Sequence, residues 1–296
     1  MSTFTAVDLS RLPAPAIVEL LDFEAIFAAM LADLRAREPA FTALTESDPA
    51  YKLLQVCAYR ELLLRQRVNE AARAVMLAYA IGSDLDHLGA LLGVARLEVD
   101  PGDPLNSIPP TMESDTEFRR RIQLAPEGYS VAGPEGAYIF HALSADPDVL
   151  DASATSPTPG EVVVTVLSRD GDGTPSGPLV AKVAAALTDD SVRPLTDHVT
   201  VQGATIVPYA VQATVYTYAG PDSTLVLAES LKRLDAYIEA SHRLGRDVPL
   251  SGIFSVLHSE GVQRVELHSP LADIVISRTQ ASHCTAISIT PGGVDE

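Results

Sequence analysis

A long run of apolar positions at helical spacing dominates the N-terminal third of the chain. Asp48 suits the N-cap of a helix and Pro49 its first position, so we predict a helix that begins here. Nothing interrupts the pattern before Gly82, which gives about 33 residues and, at roughly 1.5 Å per residue, a length of about 50 Å. Its apolar side chains recur mostly at steps of three and four and form one stripe: Leu53, Val56, Cys57, Leu63, Leu64, Val68, Ala71, Val75, Ala78 and Tyr79.

A shorter helix precedes this one and is its nearest partner. Apolar residues from Phe23 to Leu34 follow one helical face, and the pattern ends before Pro39. This first helix spans about 16 residues, roughly half the length of the second, so it leaves the far end of the stripe uncovered. We therefore predict that a helix from another chain or from a later domain packs on an interaction surface. That surface consists of Leu53, Cys57, Leu64, Val68, Ala71 and Val75.

The segments on either side of the long helix carry their own signals. Ser83 and Asp86 resemble a capping box, which predicts a short helix that ends at Gly93. Upstream, Pro13 and Pro15 predict an extended arm. The apolar residues of this arm lie either on a neighbouring subunit or on their own chain, and the sequence favours neither.

The rest of the chain alternates between strand and helix patterns. Residues 96–110 hold four prolines without periodicity and predict a linker. Helices are predicted at residues 113–124, 133–145, 178–188, 223–241 and 250–259, and strands at 162–167, 198–201, 209–218, 262–267 and 283–289. The chain is therefore predicted to have an α+β fold, with an N-terminal long-helix bundle segment followed by small mixed α/β domains.

These patterns divide the chain into six parts. We predict an N-terminal arm at 1–21, a helical bundle domain at 22–95, a linker at 96–112, a middle α+β domain at 113–206, a C-terminal α+β domain at 207–290 and a tail at 291–296. At 296 residues, the chain is long enough for domains of this size to have buried cores.

Charge and cysteine content narrow the classes of function. The chain has 39 acidic and 21 basic residues and a net charge of -18, which argues against general nucleic-acid binding. Cys57 and Cys284 do not form a disulfide framework, which suits a reducing cytoplasm, and Cys57 is interpreted as a small core residue. No apolar stretch of about 18 residues is present, so we expect no membrane association.

The segment Ser168–Gly177 is the strongest candidate for a ligand-binding loop. Its glycines resemble the start of a dinucleotide fingerprint, but the third is displaced and Asp170 and Asp172 would repel a pyrophosphate. Read as a calcium loop, it has Pro175 where glycine is needed and Ala181 where a bidentate acid is needed. We interpret it as a tight polar turn.

The histidines offer a weaker metal hypothesis. His258, His268 and His283 lie on three C-terminal elements with Cys284 beside the last, yet their spacing is unlike that of recognisable zinc ligands. We interpret them as exposed or interface residues, and His141 as a satisfied core or boundary histidine. No cofactor is expected.

Signals for catalysis are weak. The chain has no GxSxG motif, and its adjacent acid pairs lie at predicted helix ends, where capping explains them. We predict that the protein is not an enzyme.

Three long segments carry a family resemblance. They are ESDPAYKLLQVCAYRELLLRQRVNEAARAVMLAYAIGSDLDHLGALLGV, RRRIQLAPEGYSVAGPEGAYIFHALSADPDV and PGEVVVTVLSRDGDGTPS. They resemble the baseplate assembly protein J family, the wedge proteins of contractile-tailed phages and R-type pyocins. The resemblance extends over roughly residues 20–290.

The resemblance implies a structural role in the baseplate of a virion tail, assembled in the host cytoplasm. It implies that the N-terminal helices join a bundle with a second copy of the chain and a tail protein I-type wedge partner. The C-terminal domains are expected to link neighbouring wedges into a ring around the central hub and spike, near a lysozyme-like sheath-initiating wedge protein. The ring transmits the trigger for sheath contraction.

One other class of function remains open at this point. A tail-associated hydrolase acting on cell-wall or surface polysaccharide would need a cleft with two acids at working separation.

Overall fold

The computed structural model describes residues 9, 12, 13, 15, 17–130, 133–220 and 222–294. The elements in chain order are α1 (Phe23–Arg37), α2 (Pro49–Ala74), α3 (Gly82–Leu91), β1 (Glu98–Asp100), β2 (Thr111–Met112), α4 (Asp115–Gly128), α5 (Glu135–Ala145), β3 (Val149–Thr155), β4 (Glu161–Ser168), α6 (Gly177–Leu187), β5 (His198–Gly203), β6 (Thr205–Thr217), α7 (Ser223–Ser241), α8 (Leu250–Leu257), β7 (Val262–Ser269) and β8 (Gln280–Val294). The predicted α+β class is confirmed.

The chain divides into two compact units. A helical unit contains the described residues up to Arg96 together with Ser114–Ile122. An α+β unit contains Leu97–Glu113 and the described residues from Gln123 onward. The finer division into six parts stays a prediction.

In the helical unit, α1 packs along one side of α2. The Asp22 side chain caps α1 by accepting hydrogen bonds from the amides of Glu24 and Ala25. Phe27 is buried, and its ring meets that of Tyr51 edge-on at a centroid distance of 4.8 Å. The prediction that α1 is the nearest partner of α2 is confirmed.

The predicted length of α2 is wrong. The helix begins at Pro49 as expected but ends at Ala74, after 26 residues. The guanidinium of Arg119, on α4, donates to the carbonyl oxygens of Leu77 and Ala80, each at 2.7 Å. A continuing helix would use these carbonyls for its own amides, so the contact from α4 favours the turn that follows α2.

The N-terminal caps of α2 and α3 also differ from prediction. Asp48 makes no capping bond, and its carboxylate instead accepts from the amide and hydroxyl of Thr45 at 2.6 and 3.0 Å. In α3, which begins at Gly82, the predicted box is absent, since Asp86 accepts from Arg96 at 2.8 Å.

A carboxylate distant in sequence supplies the missing acceptor for α3. The Gly82 amide donates to both oxygens of Asp115, at 3.2 and 3.3 Å. Burial opposes the ionisation of Asp115, yet the Gly82 amide and Arg96 together hold its pKa below the usual value. The α3 terminus is therefore stabilised by the tertiary fold.

The predicted linker contains regular structure. Strands β1 and β2 pair antiparallel, so the proline-rich segment between them closes a small ribbon. Within it, Asp103 and Ile108 exchange two backbone hydrogen bonds at 2.9 and 3.0 Å. The absence of hydrophobic periodicity concealed this pairing, because it rests on backbone groups rather than on a buried face.

Two three-stranded sheets form the α+β unit. The first has the order β3-β4-β5, with β4 and β5 parallel, and its core includes Val164 and Val166 packed with Val183 and Leu187 of α6. The second has the order β7-β6-β8, with β6 and β8 parallel, and α7 and α8 contribute Leu234 and Leu257 to its core. Strand β3 was not predicted.

Hydrogen bonds join the two sheets at a seam. The buried carboxylate of Asp151 accepts from the Leu244 amide at 3.0 Å. Ser153 donates to the carbonyl oxygen of Arg278 at 2.6 Å, and the Arg278 guanidinium pairs with Glu135. These contacts and the short β5–β6 connection hold the sheets in one compact unit.

Candidate interaction surface

The six residues predicted to form an interaction surface are all exposed, five of them on α2 and Val75 at its C-cap. Leu53, Leu64, Val68 and Val75 have between 57% and 71% of their surface accessible, and Cys57 and Ala71 are also exposed. Because successive helical residues are about 100° apart, the five side chains on α2 lie within about 60° of the helix circumference, and Val75 follows at the C-terminal end. We call this set the α2 stripe.

The contacts of α1 lie on the other side of α2. Buried Ala58 packs against Ile26 and Phe27, with Leu54 and Leu62 contributing from neighbouring positions. The α2 stripe therefore remains uncovered by α1 along its whole length. The interpretation of Cys57 as a small core residue is wrong within the single chain, because its side chain is exposed.

The α2 helix differs in charge from the rest of the chain. It carries five basic and two acidic side chains, a net charge of +3, whereas the whole chain has a net charge of -18. By helical geometry, Arg60 and Arg67 flank one side of the stripe and Glu61 the other. This arrangement favours a partner with acidic residues beside its own apolar face.

The described part of the N-terminal arm contacts α2 and the turn that follows α2 in its own chain. Asn69 is buried, and its side-chain amide donates to the Glu19 carbonyl oxygen at 2.9 Å and accepts from the Glu19 amide at 3.0 Å. Arg65 forms an ion pair with the Glu19 carboxylate, and Tyr79 donates to the carbonyl oxygen of Leu12 at 3.0 Å. We call the Asn69–Glu19 pairing the arm clip.

The arm clip leaves apolar arm residues facing outward. Leu20 has 99% of its surface accessible and Ile17 has 57%. Sequence reasoning missed Asn69, because α2 also carries Gln55, Gln66 and seven charged residues, so nothing local marks this amide as buried.

Replacing Asn69 with alanine should release the arm. The change removes both hydrogen bonds between Asn69 and the Glu19 backbone. We therefore expect the protection of the Glu19 amide against hydrogen exchange to fall, by about tenfold for each 1.4 kcal/mol by which arm binding is weakened. Hydrogen exchange followed by mass spectrometry measures this. The matched control is Gln66→Ala, which removes an exposed amide bonded only to Glu70 on the same helix. Equal protection in Asn69→Ala and the wild type would contradict the prediction.

The segment Ser168–Gly177 forms the tight polar turn that was predicted. The Ser168 amide donates to the Gly173 carbonyl oxygen at 2.8 Å, and the Asp172 carboxylate accepts from the Thr174 amide at 2.9 Å. Gly171 and Gly173 have φ angles of 63° and 98°, which explains why glycine occupies both positions.

The histidines do not assemble into a metal site. His268 contacts the Thr214 hydroxyl at 2.9 Å, and His283 packs edge-on against His242, while His258 ends α8. Within the described ranges, no group of three or more metal-ligating side chains comes together.

His141 is a satisfied boundary histidine, as predicted. It is half-buried on α5, its Nε2 lies 3.2 Å from the Gly128 carbonyl oxygen, and burial lowers its pKa. None of the helices in the described part of the chain is long and apolar enough to cross a membrane.

Comparison with known proteins places these features in a family. The chain is 54% identical over 300 aligned positions to "Baseplate protein J" of Escherichia phage P2, covering 98% of this chain and 99% of the relative. This chain belongs to the baseplate J-like family. The resemblance seen in the three sequence segments is therefore confirmed.

Two domain profiles of the baseplate J-like family match the chain. The profile for the Baseplate J-like N-terminal domain matches residues 46–103, which contain α2 and the entire stripe. The profile for the Baseplate J-like central domain matches residues 130–203, which extend from α5 to β5.

A structural comparison gives a more distant likeness. A chain in the cryo-EM structure of the anti-feeding prophage (AFP) baseplate, 6-fold symmetrised, has a TM-score of 0.41 and 14% sequence identity to this chain. The match covers 60% of this chain and 43% of the other, so this chain spans less than half of that neighbour.

Proposed function

We propose that the protein is a structural component of a contractile tail baseplate, in which it acts by binding other subunits rather than by catalysis. The observation that carries the proposal is the exposed α2 stripe in a chain that is 54% identical to a phage baseplate protein. An exposed apolar face of this length is typical of a helix that becomes buried in an assembly.

The finer proposal concerns what covers the stripe. Two copies of the chain join through their N-terminal helices in a bundle that also contains a tail protein I-type partner. The charge of α2 supports a third chain, because Arg60 and Arg67 flank the stripe and two copies alone would bring arginines close to one another. Acidic side chains on the third helix would relieve this repulsion.

The remaining contacts follow from the same wedge arrangement. The α+β unit links neighbouring wedges into a ring around the central hub and spike, next to a lysozyme-like sheath-initiating wedge protein. Assembly takes place in the host cytoplasm, and the ring then transmits the trigger for sheath contraction. The seam between the two sheets supports this role, because force passes best through a unit that does not bend internally.

Complementation tests the proposal directly. We expect this chain, expressed from a plasmid, to restore plaque formation and assembled baseplates to phage P2 that lacks its own protein J. Electron microscopy of the lysates measures assembly, and the P2 protein on the same plasmid is the positive control. Particles without baseplates, in cells that contain folded chain, would contradict the proposed function.

A further inference from the structure

Strand β8 forms an open edge of the second sheet. It pairs along one side with the whole length of β6, from Thr205↔Gln280 to Thr217↔Val294. On its other side, Leu244 forms an isolated β-bridge with Ala281. No described strand pairs with this side of β8 beyond Ala281. An edge of this kind presents unpaired backbone amides and carbonyls that another strand can use.

Strand β8 has no charged side chain to protect its edge, and its other protective features are Pro291 and two β-bulges. Among its 15 residues none is Lys, Arg, Asp or Glu. The opposite edge strand, β7, carries Arg264 and Glu266, which pair with each other, and His268. Charged side chains, prolines and bulges on edges all prevent unintended pairing, so β7 is protected by charge, and the open part of β8 lies between its two bulges and before Pro291.

Two β-bulges define the usable part of this edge. The register shifts between Cys284 and Ala286 and again between Pro291 and Gly293. Between these points, Ala286–Pro291 pairs residue by residue with β6 and is therefore a regular strand of six residues. Its side chains are exposed except for that of Ile289, which is half-buried.

The sequence of this segment is self-complementary about Ser288. If two copies run antiparallel with Ser288 at the centre, Ile287 of one lies opposite Ile289 of the other, and Ala286 opposite Thr290. Ile289 packs against the core formed with α7 and α8, and Ile287, two residues away, lies on the same face of the sheet. Such a pairing joins four β-branched side chains, an arrangement that stabilises neighbouring strands.

We propose that β8 pairs with β8 of a second copy of this chain, antiparallel and about a two-fold axis at Ser288, to form one continuous six-stranded sheet. A symmetric contact of this kind uses the same patch on both copies. Its place in a ring of wedges rests on the proposed function, whereas the pairing itself does not.

Charge limits where two copies can meet. Each copy has a net charge of -18, so most surfaces of two copies repel one another. The segment Ala286–Pro291 carries no charge and lets two copies approach without placing like charges opposite each other.

The size of the contact predicts a weak dimer. A strand of six residues buries far less than the about 800 Å² per partner that is typical of stable complexes. The pairing is therefore transient in dilute solution and becomes persistent when other contacts raise the effective concentration, as in an assembled ring.

Cysteine cross-linking tests both the pairing and its register. Both native cysteines are first replaced, by Cys57→Ser and Cys284→Ser, so that only the introduced cysteine can react. In this background, we expect Ser288→Cys to form a disulfide-linked dimer under mild oxidation of concentrated protein. Ala286→Cys alone should cross-link poorly, and a mixture of Ala286→Cys with Thr290→Cys should cross-link well. The control is His268→Cys on the opposite edge, from which we expect at least about tenfold less dimer, because a disulfide requires Cα atoms closer than about 7 Å.

A charge substitution provides an independent measurement. In a Leu64→Asp background, which disables the α2 stripe, Ser288→Lys places two lysines at the axis and should abolish concentration-dependent dimerisation in sedimentation experiments, whereas His268→Lys should leave it unchanged. Two results would overturn the pairing. One is equal cross-linking from Ser288→Cys and His268→Cys, and the other is dimerisation that Ser288→Lys does not affect.

The two proposals fail in different ways. If Ser288→Cys chains assemble into functional P2 baseplates but form no cross-link there or in solution, the pairing is wrong and the proposed function stands. If the chain fails to complement P2 but Ser288→Cys cross-links in solution, the proposed function is wrong and the pairing stands.

Discussion

Replacing Phe118 with alanine should lower the free energy of unfolding of the helical unit by about 3–5 kcal/mol, the usual cost of truncating a buried phenylalanine. The Phe118 ring is fully buried on α4. The guanidinium groups of Arg96 and Arg121 lie 4.7 and 5.7 Å from its centroid, so truncation also removes two cation–π contacts.

The surroundings of Phe118 leave little room for relaxation. A Cβ atom at Gly89 of α3 would lie 2.5 Å from Phe118 Cζ and 2.8 Å from the Val94 carbonyl oxygen. The glycine thus allows α3 to approach the ring closely. Without the ring, the cavity borders backbone atoms that cannot shift easily, which favours the upper end of the expected loss.

Denaturant unfolding followed by circular dichroism measures this loss, and hydrogen exchange of α3 and α4 assigns it to the helical unit. Phe118→Leu should cost less, because it retains part of the buried volume. The matched control is Tyr59→Ala, which truncates an exposed aromatic residue on α2 and should change stability by less than about 0.5 kcal/mol. A loss below about 1 kcal/mol for Phe118→Ala would show that the ring does not organise this unit.

Elements whose boundaries are determined locally were predicted well from the sequence. Helix α7 runs from Ser223 to Ser241, as predicted, and its start follows from Asp222, which accepts a hydrogen bond from the Thr224 amide. Strand β4 was recognised by its four valines, three of which are consecutive. Signals within a few residues of a boundary are available to sequence reasoning.

Elements that depend on distant residues were predicted poorly. The end of α2 and the start of α3 depend on Arg119 and Asp115, which lie more than 30 residues later in the chain. Strand β3 reads VLDASAT and lacks the apolar alternation of a typical strand, because polar Asp151 and Ser153 are buried at the seam. No local pattern reveals that a polar residue will be buried against another sheet.

The exposure of the α2 stripe has a different geometric reason from the one that helix lengths predict. Helix α1 is shorter than α2, with 15 residues against 26, but the stripe is uncovered along its whole length because α1 packs on another side of α2. The arm clip was missed because it depends on a single amide, Asn69, that recognises backbone groups 50 residues away. Backbone recognition leaves no complementary pattern in the sequence.

Replacing Leu64 with aspartate should abolish complementation of P2 that lacks protein J while leaving the chain folded. Leu64 lies in the middle of the α2 stripe, and 69% of its surface is accessible in the single chain. Stability of the chain should therefore change by no more than about 0.5 kcal/mol. In the proposed bundle, the carboxylate would be desolvated in the middle of an apolar contact, at a cost of about 3–5 kcal/mol.

Leu64→Asp is informative because its expected free-energy cost is small in the free chain and large in the assembled bundle. A cost of about 3–5 kcal/mol weakens association by about 10²- to 10³-fold, enough to prevent baseplates from forming at cellular concentrations. Plaque counts and size-exclusion chromatography with light scattering, after co-expression with the adjacent tail gene product, measure the two effects. Tyr59→Asp is the matched control, because it adds the same charge at an exposed position about 140° away around the helix. Normal plaque counts for Leu64→Asp would mean that the stripe stays exposed in the baseplate, and a different surface would then have to hold the subunits together.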